Sequence, residues 1–189
     1  SHISSNKLPK YLSVLERIEL IQKEIPVTEI KLKSKITRYS IRDNFYSFWM
    51  RFVMKNKAQI EQGLKKQVIS SVLPELNSYF GRAFEKLCKE IIIDKINGVT
   101  KIGGWWYQDS EIDIVAFNEK EKICYFAECK WQDHVNAGKI LQELKEKSKK
   151  VQWKNKERKD RYVIFAKSFS QKTEDAYLID LKEIGKSLD

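Results

Sequence analysis

The chain has 189 residues and 42% apolar side chains, enough for one domain with a small appendage and a buried core. Its 36 basic residues against 26 acidic ones give a formal net charge of +10, which suits a polyanion partner because Lys and Arg that displace phosphate counterions gain affinity on their release. The odd count and unpaired spacing of Cys88, Cys124 and Cys129 argue against a disulfide framework and a zinc cluster, and fit a reducing cytoplasm.

No stretch approaches the ~18 apolar residues of a membrane span. The opening SHISSNK lacks the apolar core of a signal peptide. Abundant Lys and Glu with little Gly and Pro fit a chain from a hot environment.

In chain order, Leu8, Tyr11, Leu12, Leu15 and Ile18 follow helical spacing and predict an amphipathic helix over 8–20, with Pro9 in its first turn. Two short strand-like runs, 22–27 and 36–41, bracket a basic turn with Lys31, Lys33 and Lys35. Asp43 reads as the N-cap of an aromatic helix over 43–53, with Phe45, Phe48, Trp49 and Phe52 on one face. Those rings suit core packing, base stacking or a dimer contact. Another helix is expected over 56–73, ended by Pro74. From Leu76 a helix runs to about Asp94 on a stripe of Phe80, Phe84, Leu87, Cys88 and Ile91, with Glu85 beside it. Strands follow near 100–107, 111–117 and 122–130, then a helix over 137–151 and strands at 161–167 and 176–181. The order from residue 76 is α, β, β, β, α, β and a last short strand: an α/β domain.

Side chains two apart on a strand share a face, so Glu111 and Asp113 point one way together, as do Glu128 and Lys130. A hairpin through NEKEK would bring all four to one end of the sheet. Mg²⁺ or Mn²⁺ takes oxygen ligands, commonly one or two carboxylates with waters and substrate phosphate. Asp113 and Glu128 supply carboxylates, the backbone carbonyl of Cys129 a third oxygen, and Glu85 a further one. Lys130 could position a water or offset developing charge. This set suits phosphodiester hydrolysis. Glu-x-Lys occurs four times in the chain, so the tripeptide alone says nothing, and a structural ion pair at a strand end competes with the metal site.

The spacing Asp113…Glu128-Cys129-Lys130, with Glu85 upstream, resembles the PD-(D/E)XK nuclease superfamily, whose restriction-endonuclease-like core has the order αβββαβ. The whole chain resembles the C-terminal part of archaeal AAA+-related ATPases. The matching stretches include Pro26-Val27-Thr28-Glu29, Phe48-Trp49-Met50-Arg51-Phe52-Val53, Gly81-Arg82-Ala83-Phe84-Glu85, Trp105-Trp106, Glu111–Ala116 and Glu128–Trp131. The resemblance implies a partial winged helix over 1–42, its last helix and wing, then a helical connector over 43–75 and a nuclease-like domain over 76–189. It implies a metal-dependent DNA endonuclease domain, or a silent nuclease-like module that binds DNA or docks and regulates the ATPase. The ATPase domain itself would precede this chain. No GxxxxGK[ST] occurs here, so no ATP site is expected. Ile112 stands where the superfamily usually has Pro.

Between Lys139 and Arg161 lie ten basic residues against four acids, a net of +6. Lys139, Lys145, Lys149, Lys150, Lys154, Lys156, Arg158 and Lys159 make either a solvated face or a phosphate track toward duplex or branched DNA. Lys147, two turns into its helix, and Glu111 are accessory candidates. Trp105, Trp106 and Trp131 flank the site as packing or stacking groups. His134 reads as a solvated loop residue, and the Cys129 side chain as core.

Overall fold

The computed structural model describes residues 7–29 and 36–186, so the basic turn with Lys31, Lys33 and Lys35 lies outside the described residues. Two units emerge, one from residues 1–24 and 35–79, the other from 25–34 and 80–189.

In the first unit, α1 (Leu8–Arg17) stops three residues short of the expected end. The N–H of Glu19 returns to the Glu16 carbonyl and that of Leu20 to the Leu15 carbonyl, with Glu19 at φ +58°; no glycine announces this Schellman turn. Strand β1 (Ile21–Glu24) pairs antiparallel with β2 (Arg38–Ile41), in register from Ile21 opposite Ile41 to Glu24 opposite Arg38. The expected run to Val27 is cut short because Val27 belongs to the second unit, where its N–H donates to the Gly104 carbonyl at 2.9 Å.

Asp43 does cap α2 (Asn44–Phe48), its carboxylate accepting from the Tyr46 N–H at 2.6 Å. The helix then widens into a π-helical turn over Trp49–Val53 and tightens to a 3₁₀ turn over Met54–Asn56 before α3 (Lys57–Glu61). That change of pitch breaks the expected aromatic face. Phe48 and Phe52 pack with Tyr79, at 5.2–5.7 Å between ring centres, while Phe45 stays 71% exposed. Among this unit's described residues Phe52 is the one buried side chain.

The expected break at Pro74 is absent: α4 (Lys65–Lys95) runs through it. Proline withholds the N–H that the Ser70 carbonyl would accept. Ser70 and Pro74 are both exposed, so water can serve that carbonyl. The break falls at Gly63 instead, at φ +78°, where the Leu64 N–H reaches the Gln59 carbonyl and the Gly63 N–H the Ile60 carbonyl.

The second unit is a mixed α/β domain on a five-stranded sheet of order β3-β4-β5-β7-β9. Strands β3 (Lys101–Tyr107), β4 (Ser110–Asn118) and β5 (Ile123–Lys130) form an antiparallel meander; β7 (Lys159–Ala166) and β9 (Tyr177–Ile179) continue it in parallel. The C-terminal part of α4 covers one face through Phe84, Cys88, Ile91 and Ile92, packed with Ile114, Ala116, Ala127 and Cys129. On the other face α5 (Ala137–Ser148) brings Leu144 against Val115, Phe117, Cys124 and Phe126. Asn136 caps α5 through the Lys139 N–H. The short parallel pair β6 (Val135–Asn136) and β8 (Phe169–Gln171), and the terminal helix α6 (Leu181–Gly185), complete the unit.

The hairpin through NEKEK forms, with Asn118 as its pin: the buried side chain accepts from the Glu121 N–H at 3.0 Å and donates to the Asn97 carbonyl at 3.4 Å.

Candidate active site at the ends of β4 and β5

The site is set by a β-bulge. Gly103 pairs with Val115 and Trp105 with Ile112, so β4 carries one residue more than β3 between these pairs. Strict alternation would put Ile112 and Ile114 on one face. Instead Ile112 packs on the α5 side and Ile114 on the α4 side. Asp113 sits at the irregularity, which re-aims its side chain. Its carboxylate accepts from the Cys129 backbone N–H at 2.8 Å, on the strand segment between Glu128 and Lys130.

Glu128 is only 3% exposed, and both its oxygens are held: Lys130 Nζ lies 2.9 Å from Oε2, and Lys147 Nζ 2.5 Å from Oε1. Lys130 and Lys147 are about one-third exposed at 32% and 31%, so the cluster opens to solvent on their side. Burial pushes Asp113 up to about 7, helped by the Glu128 carboxylate, against the opposing Cys129 N–H. Glu85 is also raised, first by burial and then by Glu111. Burial lowers Lys130, but its pairing with Glu128 outweighs that and leaves it raised. Asp113, Glu128 and Lys130 therefore meet at one end of the sheet, as the hairpin requires, and Glu85 on α4 and Glu111 lie near enough to act on their charges.

A scan against families of known proteins matches residues 49–160 to DUF234, described as archaea bacterial proteins of unknown function. The chain belongs to this family. The DUF234 match contains Glu85, Glu111, Asp113, Glu128, Lys130 and Lys147, the whole of the cluster just described. The "Uncharacterized protein MJECL04" of Methanocaldococcus jannaschii is 37% identical over 185 residues, which is 93% of this chain and 41% of that protein. This DUF234 chain thus spans about two-fifths of the length of that relative. No solved structure matches it.

Lys147 is the contact that strand parity does not disclose. It follows Leu144 by three positions, on the stripe that faces the sheet, and a lysine on that stripe is the signal that marks it. The rest of the basic stretch divides. Lys145, Lys149 and Lys154 pair with Asp175, Glu146 and Glu119, and Lys150 donates to Ser110 Oγ at 2.6 Å. Lys139, Lys156 and Lys159 are exposed.

Arg158 turns inward. Its side chain is 6% exposed. It donates to the Ser148 carbonyl at 2.9 Å, the Val151 carbonyl at 2.6 Å and Asp160 at 2.8 Å, with longer bonds to Trp153 O and Asn155 Oδ1. While those bonds hold, Arg158 cannot serve a phosphate; it ties the end of α5 to the start of β7.

Trp105 is core, and Trp131 packs on Phe84 at 5.2 Å with Lys167 Nζ over its ring at 5.1 Å. His134 is exposed in its loop. The Cys129 thiol is buried, and burial together with the neighbouring Cys88 thiol holds its pKa well above the ordinary value, which makes it core and unreactive. Among the described residues no helix is long and apolar enough to cross a membrane.

Proposed function

We propose that the second unit is a restriction-endonuclease-like domain of the PD-(D/E)XK kind, a metal-dependent endonuclease acting on duplex or branched DNA. The supporting observation is that Asp113 and Glu128, 15 residues apart in sequence, converge at the β4–β5 end with Lys130 on Glu128. The order α4-β3-β4-β5-β6-α5-β7 agrees with that reading, since the two-residue β6 lies outside the main sheet.

The donor set fits a hard divalent cation. It is all oxygen, and its acids crowd closely enough that Asp113 is raised toward neutrality by burial and by Glu128. Asp113, Glu128, the Cys129 carbonyl and Glu85 would hold Mg²⁺ or Mn²⁺. When bound, such an ion lowers the pKa of a water and offsets phosphate charge. Lys130 keeps a positive charge beside the reacting phosphate, and Asp113 is fixed in orientation by the Cys129 N–H. The exposed lysines 139, 156 and 159 offer a sequence-independent grip on the DNA backbone.

Two observations favour a second reading, a module that binds DNA without cutting or docks on an ATPase. Both Glu128 oxygens are already held by lysines, and among the described residues no three of His, Cys, Asp and Glu form a ready metal-binding group. In either reading, α1 with the β1–β2 hairpin would stand for the partial winged helix, with residues 25–29 given over to the second unit, residues 43–75 would be the connector, and the resemblance would put an ATPase domain before them in a cytoplasmic protein. Exposed Phe45, Trp49 and Met54 in the first unit offer a homodimer contact that sedimentation would reveal.

The test is incubation with nicked, branched and single-stranded DNA and Mn²⁺. Metal-dependent cutting lost in Asp113→Ala and Glu128→Ala is expected. Absence of cutting, or cutting that survives Asp113→Ala, overturns the endonuclease reading. Salt-sensitive binding with no metal effect then favours the silent module.

A further inference from the structure

Glu128 is a nearly fully buried carboxylate with two ammonium groups, one on each oxygen. Two cations on one buried anion is more positive charge than an ion pair needs. Lys130 reaches Glu128 from the same strand, two residues along β5 on the same face. Lys147 reaches in from a different element, the last turn of α5, on a long side chain that is 31% exposed. It can withdraw toward solvent by rotating about its own bonds, without moving the strand. In the acid cluster itself, Asp113 accepts the Cys129 backbone N–H at 2.8 Å.

We propose that Lys147 is a displaceable counter-cation for Glu128. It holds the Oε1 position while no metal is bound, gives that position up to a divalent ion, and turns its freed ammonium outward to a phosphate oxygen of the DNA. This rests on the metal-site reading above. Lys147 is thus a positioning residue that couples metal entry to substrate grip. A buried charge left alone is costly, so the exchange keeps Glu128 compensated in both states. Lys130 stays in place throughout, which separates the two lysines by role. The direction of the effect follows: removing Lys147 takes away a competitor of like charge, so the ion should bind more tightly to the variant and DNA should bind less tightly to the metal-loaded variant.

The experiment measures Mn²⁺ binding to the full chain without DNA, by the electron paramagnetic resonance signal of free Mn²⁺, for the native protein, Lys147→Met and Lys147→Arg. Duplex binding is then measured with and without Ca²⁺. Lys147→Met should bind Mn²⁺ at least about tenfold more tightly, since one unit charge a few ångströms from the ion is removed. Lys147→Arg, which keeps the charge, should stay near the native value. The gain in duplex affinity that Ca²⁺ brings should shrink severalfold in Lys147→Met and persist in Lys147→Arg. If Lys147→Met does not fold, Lys147→Gln takes its place. Equal or weaker Mn²⁺ binding by the uncharged variant, beside native binding that Asp113→Ala abolishes, overturns the role of Lys147 and leaves the metal site standing. No Mn²⁺ binding by the native chain overturns both.

Discussion

Arg158 separates a structural from a nucleic-acid role in one substitution. Lys and Arg of the 139–161 stretch look alike in sequence, yet Arg158 is buried and bonded to the Ser148 and Val151 carbonyls, to Asp160 and, at 5.2 Å, over the Phe126 ring. Arg158→Met keeps most of the apolar stem and removes every donor. The two carbonyls lose charged partners at about 1 kcal/mol or more each. Asp160, 29% exposed, is partly resolvated, so its share is discounted to about 1 kcal/mol. The expected loss is about 3 kcal/mol, or a fall in melting temperature of roughly 6–12 °C for a chain of this size. Thermal unfolding and a duplex titration on the same samples read both roles. At a temperature where the variant stays folded, duplex affinity should be close to native. A stability loss below ~1 kcal/mol, together with weakened duplex binding, would refute the structural assignment.

Other expectations rest on local geometry. Gly98→Ala forces a side chain at φ +79° and brings its Cβ to 2.6 Å from Asn118 Nδ2, so stability should fall by roughly 2 kcal/mol in denaturant unfolding. Gly81→Ala on α4, where an added Cβ meets nothing within 4 Å, should instead stabilise by about 0.5–1 kcal/mol. Pro74→Ala restores the missing donor inside α4 and should stabilise by ~1–3 kcal/mol, with no loss of helical circular dichroism. Lys139→Gln and Lys156→Gln should each weaken duplex binding equally for unrelated sequences and reduce the log–log salt slope by about 0.9 if one phosphate contact is lost; an unchanged slope would remove them from the DNA face.

Much of the second unit is legible in sequence because its strands are long and strongly apolar and its helices carry clear stripes. Phe84, Cys88 and Ile91, or Leu141 and Leu144, state their faces by spacing alone, and the two-residue period puts Glu128 with Lys130. What spacing cannot state is where the period slips. The bulge opposite Gly103–Trp105 changes the face of β4 at Asp113, and only pairing with β3 creates it. The π-helical turn at Trp49 does the same to the aromatic face of the first unit. Glu19 ends α1 in a conformation usually left to glycine, and Val27 leaves its hairpin to bond Gly104, 77 residues on. Arg158 and Lys147 share one cause: long basic side chains are read as surface by composition, and only tertiary contact turns them inward.

The distribution of charge at the β4–β5 end bears on the choice first posed by the Glu-Cys-Lys tripeptide. A structural ion pair at a strand end would match one acid with one base, at a modest gain wherever solvent reaches it. Here Lys130 and Lys147 both close on Glu128, while Asp113 is raised by burial and by Glu128, and Glu85 by burial and by Glu111. The cluster is therefore over-compensated at one carboxylate and under-compensated at two others. A fold gains nothing in stability from that imbalance, since burying like charges together is costly. The imbalance becomes useful if a divalent ion enters between Asp113 and Glu128, because the same charges then balance once Lys147 swings out on its own side chain from α5. That relief is what a bound ion at the proposed site would add over a surface pair.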